Sequence, residues 1–252
     1  MALEAAEMKR VVAEKAVEDY VKDGMNVGLG TGSTAYYAIM RIARLVKEDG
    51  FDLTCVATSI QSENLAREAG IRVVGLEDVD KLDVTIDGAD EIDPRMNLVK
   101  GLGGALLREK IVAAATVTEI IVADSSKLVD KLGTKAPLPV EVLRFGHEHT
   151  AFALRRQGCE PALRMKGGEP FVTDGGNYIY DCRFPDGIPN PYFLESRIDV
   201  IPGVVENGLF LNTAFEALVC DPDGDVRKCS DRIAEKDRRR VQTGPFLSTR
   251  VQ

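Results

Sequence analysis

A chain of 252 residues is long enough for one large domain, or for one domain that carries a smaller one. Hydrophobic residues make up 44%, an ordinary supply for a buried core, and a net charge of -8 argues against nucleic acid or an acidic membrane as the partner. Five cysteines without CxxC spacing (Cys55, Cys159, Cys182, Cys220, Cys229) read as free thiols of a reducing compartment. The N-terminus is charged and helical rather than signal-like, and no apolar run approaches the roughly 18 residues of a membrane span. A soluble, cytoplasmic protein is expected.

The spacing of Met8, Val11, Val12, Ala16 and Tyr20 predicts a helix over 2–22, ended by Asp23-Gly24. A short strand over 27–30 follows, then Thr31-Gly32-Ser33-Thr34, then a helix over about 35–47. Strand, glycine-rich turn and helix form the unit that sets backbone N–H groups and a helix N-terminus around a phosphate. The hydroxyls of Thr31, Ser33 and Thr34 add donors. A dinucleotide fingerprint fails, because the glycines fall at 28, 30 and 32 and position 33 is Ser. The strand over 53–57 also runs into Thr58-Ser59-Ile60 without the acid a ribose would need, and no GK[ST] ending makes a Walker motif. A monophosphate cup remains, with a plain tight strand–helix turn as the alternative. A helix over 61–69 then leads through Gly70 to a strand over 71–74.

The stretch 82–110 carries the densest chemistry. A strand over 82–86 ends in Asp87-Gly88-Ala89-Asp90-Glu91, three carboxylates where an α/β sheet delivers its chemistry. Lys100 follows, and Gly101, Gly103 and Gly104 open a helix with Leu106, Leu107, Ile111 and Ala114 as its apolar stripe. Glu109 lies off that stripe, so it is expected to point away from the core and face a cleft; a solvated loop with an exposed helical Glu is the alternative. A strand over 119–123 ends in Asp124-Ser125-Ser126-Lys127. This alternation predicts a mostly parallel α/β sheet.

After Pro137 the pattern changes to strands over 140–145 and 171–184, a helix over 150–157 and clustered turn signals, which reads as a small α+β domain. Strand patterns return at 208–211 and 216–219, and Asp221-Pro222-Asp223-Gly224 turns the chain into a final short strand. His147-Glu148-His149 has no second cluster of ligands and reads as structural or surface rather than as a metal site. The charged tail from Asp231 reads as a solvated end.

These residues resemble the type A ribose-5-phosphate isomerase family. The resemblance is carried in order by Gly30-Thr31-Gly32-Ser33-Thr34, Thr58-Ser59, Asp87-Gly88-Ala89-Asp90-Glu91, Lys100-Gly101 with Gly103-Gly104-Ala105, Arg108-Glu109-Lys110, Ala123-Asp124-Ser125-Ser126-Lys127, Thr173-Asp174-Gly175-Gly176-Asn177 and the run 201–210. Any one motif is weak; the ordered set is specific. It implies a Rossmann-like, mostly parallel sheet with helices on both faces in residues 1–137 and 208–252, with a small α+β domain, 138–207, inserted. It also implies that Thr31, Gly32, Ser33, Thr34, Asp87, Gly88, Ala89, Asp90, Lys100, Gly101, Leu102, Gly103 and Lys127 line a sugar-phosphate site. Members need no metal or other cofactor and are homo-oligomers, dimers or tetramers. Leu102 interrupts the family's glycine run, and a side chain pointing inward there would narrow the cleft.

The implied reaction interconverts D-ribose 5-phosphate and D-ribulose 5-phosphate, in the non-oxidative branch of the pentose phosphate pathway. Glu109 would be the base that moves the proton between C2 and C1 through a cis-enediol(ate). Lys100 is the candidate to hold the charge on oxygen, and Asp87 the candidate for ring opening, with Asp90 orienting hydroxyls. A sugar-phosphate sensor would need neither Glu109 nor Lys100. An acyl-CoA transferase-like enzyme would carry its nucleophilic Glu in another motif.

Overall fold

The computed structural model describes residues 3–230, so the basic tail lies outside the described residues. The first half of the chain alternates strand and helix. It runs α1 (Ala5–Tyr20), β1 (Asn26–Leu29), α2 (Ser33–Glu48), β2 (Thr54–Ala57), α3 (Ile60–Glu68), β3 (Leu82–Gly88), the short strands β4 (Glu91–Ile92) and β5 (Leu98–Val99), α4 (Leu106–Ala114) and β6 (Thr116–Asp124). Then come β7 (Leu138–Val142), α5 (His147–Arg155), β8 (Glu160–Leu163), β9 (Met165–Lys166), β10 (Glu169–Pro170), β11 (Tyr178–Arg183), α6 (Pro191–Ile198) and β12 (Val204–Asn207). The short strand β13 (Leu209–Phe210), β14 (Glu216–Cys220) and β15 (Val226–Cys229) complete the described chain.

The main sheet has the order β15-β14-β6-β3-β1-β2, parallel throughout except for the last pair, β14 and β15. The expectation of a mostly parallel sheet with helices on both faces is met. Val12 and Val17 of α1 and Ile39 and Ile42 of α2 share one core with Val84, Ile86, Ile120 and Val122 of the sheet. Strand alternation turns Thr85 and Asp87 to the opposite face. There Val112 of α4 clusters with Val56 and Leu82, and Ala113 with Ile121 and Ala123. Because β2 and β3 lie on opposite sides of β1, the strand order reverses at β1 and β3. In an open α/β sheet such a switch point leaves a crevice at the strands' carboxyl ends.

A second, antiparallel sheet, β12-β7-β11-β8, is built entirely from residues 138–207 around its own core of Leu138, Val140, Val142, Leu154, Cys182 and Ile198. β9 and β10 form a hairpin, and β13-β5-β4 a three-stranded sheet. All five cysteines are free.

Several local expectations shift. Residues 71–74 make only a bridge, Val73 to Cys55, because a turn at Leu76–Asp78 redirects the chain. The strand expected over 171–184 starts only at Tyr178, since Gly176 N–H closes a turn onto Thr173 O. The strand expected over 140–145 ends at Val142, before Gly146 with its φ of 69°. Residues 209–210 pair with β5 instead of joining the main sheet. The apolar stripe of α4 is also rotated: Leu106, Glu109, Val112 and Ala113 are buried, while Ile111 and Ala114 are exposed. Nine residues make two and a half turns, too few for periodicity to choose between two stripes.

Candidate active site at the sheet switch point

Two loops meet where the strand order reverses. The loop after β1 carries Thr31, Gly32, Ser33 and Thr34, and the end of β3 carries Asp87, Gly88, Ala89 and Asp90. They are tied directly, since Asp87 Oδ1 accepts from the Thr31 N–H at 3.0 Å. This closeness requires glycine at position 30, where a Cβ would stand 2.3 Å from Asp87 Oδ1. Gly32 precedes α2 with φ 107°, a backbone that glycine adopts readily. No side chain caps that helix, so its first N–H groups are left for an anion.

The hydroxyls divide. Thr31 Oγ1 turns inward, within 2.7 Å of Thr58 Oγ1 and 2.8 Å of Ser59 Oγ, and so braces the loop rather than adding a donor to the cup. Ser33 Oγ accepts from Lys9 Nζ at 3.0 Å, which brings a cation from α1 to the cup's rim. Lys9 lines the cleft with Thr31, Gly32, Ser33, Thr34, Gly88, Ala89, Asp90, Lys100, Gly101, Gly103, Glu109 and Lys127. Lys127 arrives from the turn Ser125–Lys127 after β6, whose N-cap Asp124 accepts the Ser126 N–H.

Lys100 is the centre of the floor. Its side chain is 3% exposed, and Nζ donates to Gly88 O at 2.5 Å, lies 3.1 Å from Asp87 Oδ2 and stands 3.7 Å from Glu109 Oε2. Burial works to strip its proton, but Asp87, Glu109 and Glu119 outweigh burial and hold its pKa above that of an ordinary lysine. Glu109 is buried, not solvent-facing, and its Oε2 accepts no hydrogen bond. Burial pushes its pKa up to about 8, with Lys100 opposing and Asp87 and Asp90 reinforcing. That is the range of a group that can take and return a proton near neutral pH. Asp90 is also raised by burial, against the Leu102 N–H, Lys100, Lys127 and Arg164.

Three sequence expectations change here. Asp87 lies one layer below the cleft, 1% exposed, with Oδ1 taken by the N–H groups of Thr31 and Gly88 and Oδ2 facing Lys100. Glu91 leaves the acidic group altogether: fully buried, it accepts from the N–H groups of Gly133, Lys135 and Ala136 and so pins the loop before β7. Leu102 is 42% exposed, and the lining passes from Gly101 to Gly103 without it, so its side chain does not narrow the cleft.

Two residues near Lys100 and the cup are marked for a site by no motif in the sequence. No motif or spacing singles out Lys9. Glu119 heads the strand expected over 119–123; in the fold it is buried opposite Thr85, and its Oε2 accepts no hydrogen bond. Burial and the nearby Asp87 raise its pKa well above the ordinary carboxyl value, against Lys100. An acid heading an apolar run was the available signal. His147 lies elsewhere, its Nδ1 2.8 Å from the Tyr180 hydroxyl. Among the described residues, no three of His, Cys, Asp and Glu converge as metal ligands.

A doubly wound sheet with an uncapped helix N-terminus at its switch point, beside a buried carboxylate and ammonium, is an arrangement of the Rossmann-like class of α/β proteins. The comparisons with known proteins narrow this. The family model for ribose 5-phosphate isomerase A (phosphoriboisomerase A) matches residues 54–224. Ribose-5-phosphate isomerase A of Thermosynechococcus vestitus is 52% identical over 216 residues, covering 84% of this chain and 91% of that protein. The Bacillus mycoides protein of the same name is 46% identical over 217 residues, covering 86% and 97%. Among solved structures, ribose 5-phosphate isomerase from Plasmodium falciparum superposes with a TM-score of 0.87 at 42% identity, covering 90% of this chain and 99% of that one. A D-ribose-5-phosphate isomerase in complex with phospho-erythronic acid also gives 0.87, at 38% identity, covering 90% and 100%. The chain belongs to the ribose 5-phosphate isomerase A family.

Proposed function

We propose that the chain, an isomerase by family, interconverts D-ribose 5-phosphate and D-ribulose 5-phosphate with Glu109 as the single base. One observation carries the assignment of the base: a buried carboxylate whose Oε2 accepts no hydrogen bond and stands 3.7 Å from a buried ammonium, on the wall of a cleft that also holds an anion cup. The cup residues Gly32, Ser33 and Thr34, with Lys9 and Lys127, would take the phosphate and fix the sugar's remote end. Binding energy at the phosphate then positions C1 and C2 at Glu109. The relative solved with phospho-erythronic acid, a phosphorylated sugar acid, supports a site of this kind.

Glu109 in its ionised form takes the C2 proton, leaving a cis-enediolate, and returns that proton to C1, while the O2 hydroxyl proton passes to O1 so that the carbonyl forms at C2. A carboxylate whose pKa is raised by burial is a stronger base than a solvated one, and Lys100 keeps it ionised often enough to act. Lys100 Nζ is the fixed charge for the enediolate oxygen. Its own position is held by Gly88 O and Asp87 Oδ2, so Asp87 acts by orienting Lys100. Ring opening needs a group that exchanges protons with the sugar. Asp90, which lines the cleft and has a raised pKa, meets that need better than the walled-in Asp87.

The remaining readings belong to the same proposal. Residues 138–207 form an insert carrying the second sheet, within a catalytic unit of 1–137 and 208–252. The enzyme works as a homo-oligomer, a dimer or tetramer, in the cytoplasm. The deciding experiment is turnover of ribose 5-phosphate by the native protein and by Glu109→Gln, run beside a thioester-exchange assay. Turnover that survives in folded Glu109→Gln removes the base assignment, and thioester exchange without isomerisation removes the reaction.

A further inference from the structure

We infer that Arg164, carried by the second sheet, is a positioning residue for the cleft: it holds the loop 101–103 in place and, through that loop, Asp90. Arg164 follows β8, and its N–H is fixed to Ile179 O at 2.8 Å. Its guanidinium faces two ways. Nε and Nη2 grip both carboxylate oxygens of Asp181 on β11, the first at 2.9 Å. Nη1 reaches across to Gly101 O at 3.0 Å and Leu102 O at 3.1 Å. The Arg164 side chain is only 13% exposed, so these charge-assisted bonds are only weakly screened by solvent.

The loop has little else to order it. It is rich in glycine, which loses the most backbone freedom on ordering, and Leu102, at 42% exposed, is not buried as an anchor would be. Its other ties are the Lys100 N–H to Gly208 O at 2.9 Å, the turn from Gly104 N–H to Gly101 O at 2.9 Å, and the Leu102 N–H to Asp90 Oδ2 at 2.9 Å. The last of these is the link to chemistry. The Gly101–Leu102 peptide plane, held at the Gly101 carbonyl by Arg164, presents the Leu102 N–H to Asp90, and Asp90 lines the cleft. The Arg164 charge also opposes the burial that raises the Asp90 pKa. A guanidinium suits this task because its planar fork can meet a carboxylate and two carbonyls at once, which an ammonium on a flexible stem cannot.

The kinetic part of this inference rests on the isomerase reading; the geometric part does not. The experiment therefore has two readouts on native protein, Arg164→Ala, Arg164→Lys and Asp181→Asn. Steady-state kinetics on ribose 5-phosphate are measured across pH, and amide hydrogen exchange is measured over residues 101–104. In Arg164→Ala, KM is expected to rise about 10-fold or more, with kcat falling less. The acid limb of the pH profile moves up, and exchange in the loop speeds up about 10-fold. Arg164→Lys lies between native and Ala, and Asp181→Asn moves in the same direction. A folded Arg164→Ala with native KM, native pH profile and native exchange overturns the inference. Should that variant fail to fold, Asp181→Asn decides by the same measurements. A native protein without isomerase turnover sinks the isomerase reading alone, and loop exchange then still decides the role of Arg164.

Discussion

The proposed base, Glu109, works against the fold that houses it. Its pKa is raised from 4.5 to about 8 by burial, so between those values the folded protein binds a proton that the unfolded chain has released. Its contribution to stability is full below about pH 4.5 and is lost as pH rises through about 8. Glu109→Gln is therefore expected to raise the melting temperature at pH 8 by a few degrees, since about 1 kcal/mol corresponds to ~2–4 °C in a chain of this size. The same change is expected to lower kcat by roughly 10²–10⁴, the range for a lost general base. In the native enzyme kcat/KM should rise with pH toward about 8, because only ionised Glu109 accepts the C2 proton. Calorimetry and a pH–rate profile check both signs. A flat profile from pH 5 to 8 would remove Glu109 as the titrating base.

The cup is a property of an element, the N-terminus of α2, more than of any residue. Its N–H groups are offered by the Gly32 turn and the uncapped helix, and Lys9 adds a charge from α1 through Ser33. Lys9→Met and Ser33→Ala should weaken binding of ribose 5-phosphate far more than any residual binding of ribose. For Lys9→Met the loss should shrink at high salt, because Lys9 acts at an exposed site where charge is screened. Titration calorimetry of both sugars at low and high salt tests this. Equal losses for the two sugars would show that the loop holds something other than phosphate.

At the scale of the whole molecule, every described residue lining the cleft lies between Lys9 and Lys127, and the last described strand of the main sheet ends at Cys229. A protein truncated after Ser230 is expected to keep its kcat/KM. A folded but inactive truncated protein would assign the tail a part in catalysis. The charge balance of the floor supports a second expectation, that activity persists after exhaustive EDTA treatment. Lys100 already stands as the cation among Asp87, Glu109 and Glu119, so a divalent ion would meet a like charge at that place. Turnover with metal content followed by elemental analysis is the check. Activity lost on chelation and restored by one ion would contradict it.

Local chemistry was enough to read the alternation of strands and helices, the glycine turn at 30–34 and the acids ending β3, because periodicity and turn residues act over a few positions. The motifs from Gly30 to Phe210, taken in order, were enough for the family. What needed the tertiary structure was direction. Whether Asp87 faces the sugar or Lys100, whether Glu91 joins the acids or caps a distant loop, and which stripe of α4 is buried all depend on what packs against them. Lys9 reaches the cleft from a helix, Glu119 faces the charges of Lys100 and Asp87 from a strand, and Arg164 reaches the loop 101–103 from the end of β8; these positions lie far apart in the chain and only folding brings them together. A side chain's partners across 50 or more residues are set by the three-dimensional fit of the layers, on which the spacing of residues along the chain carries no information.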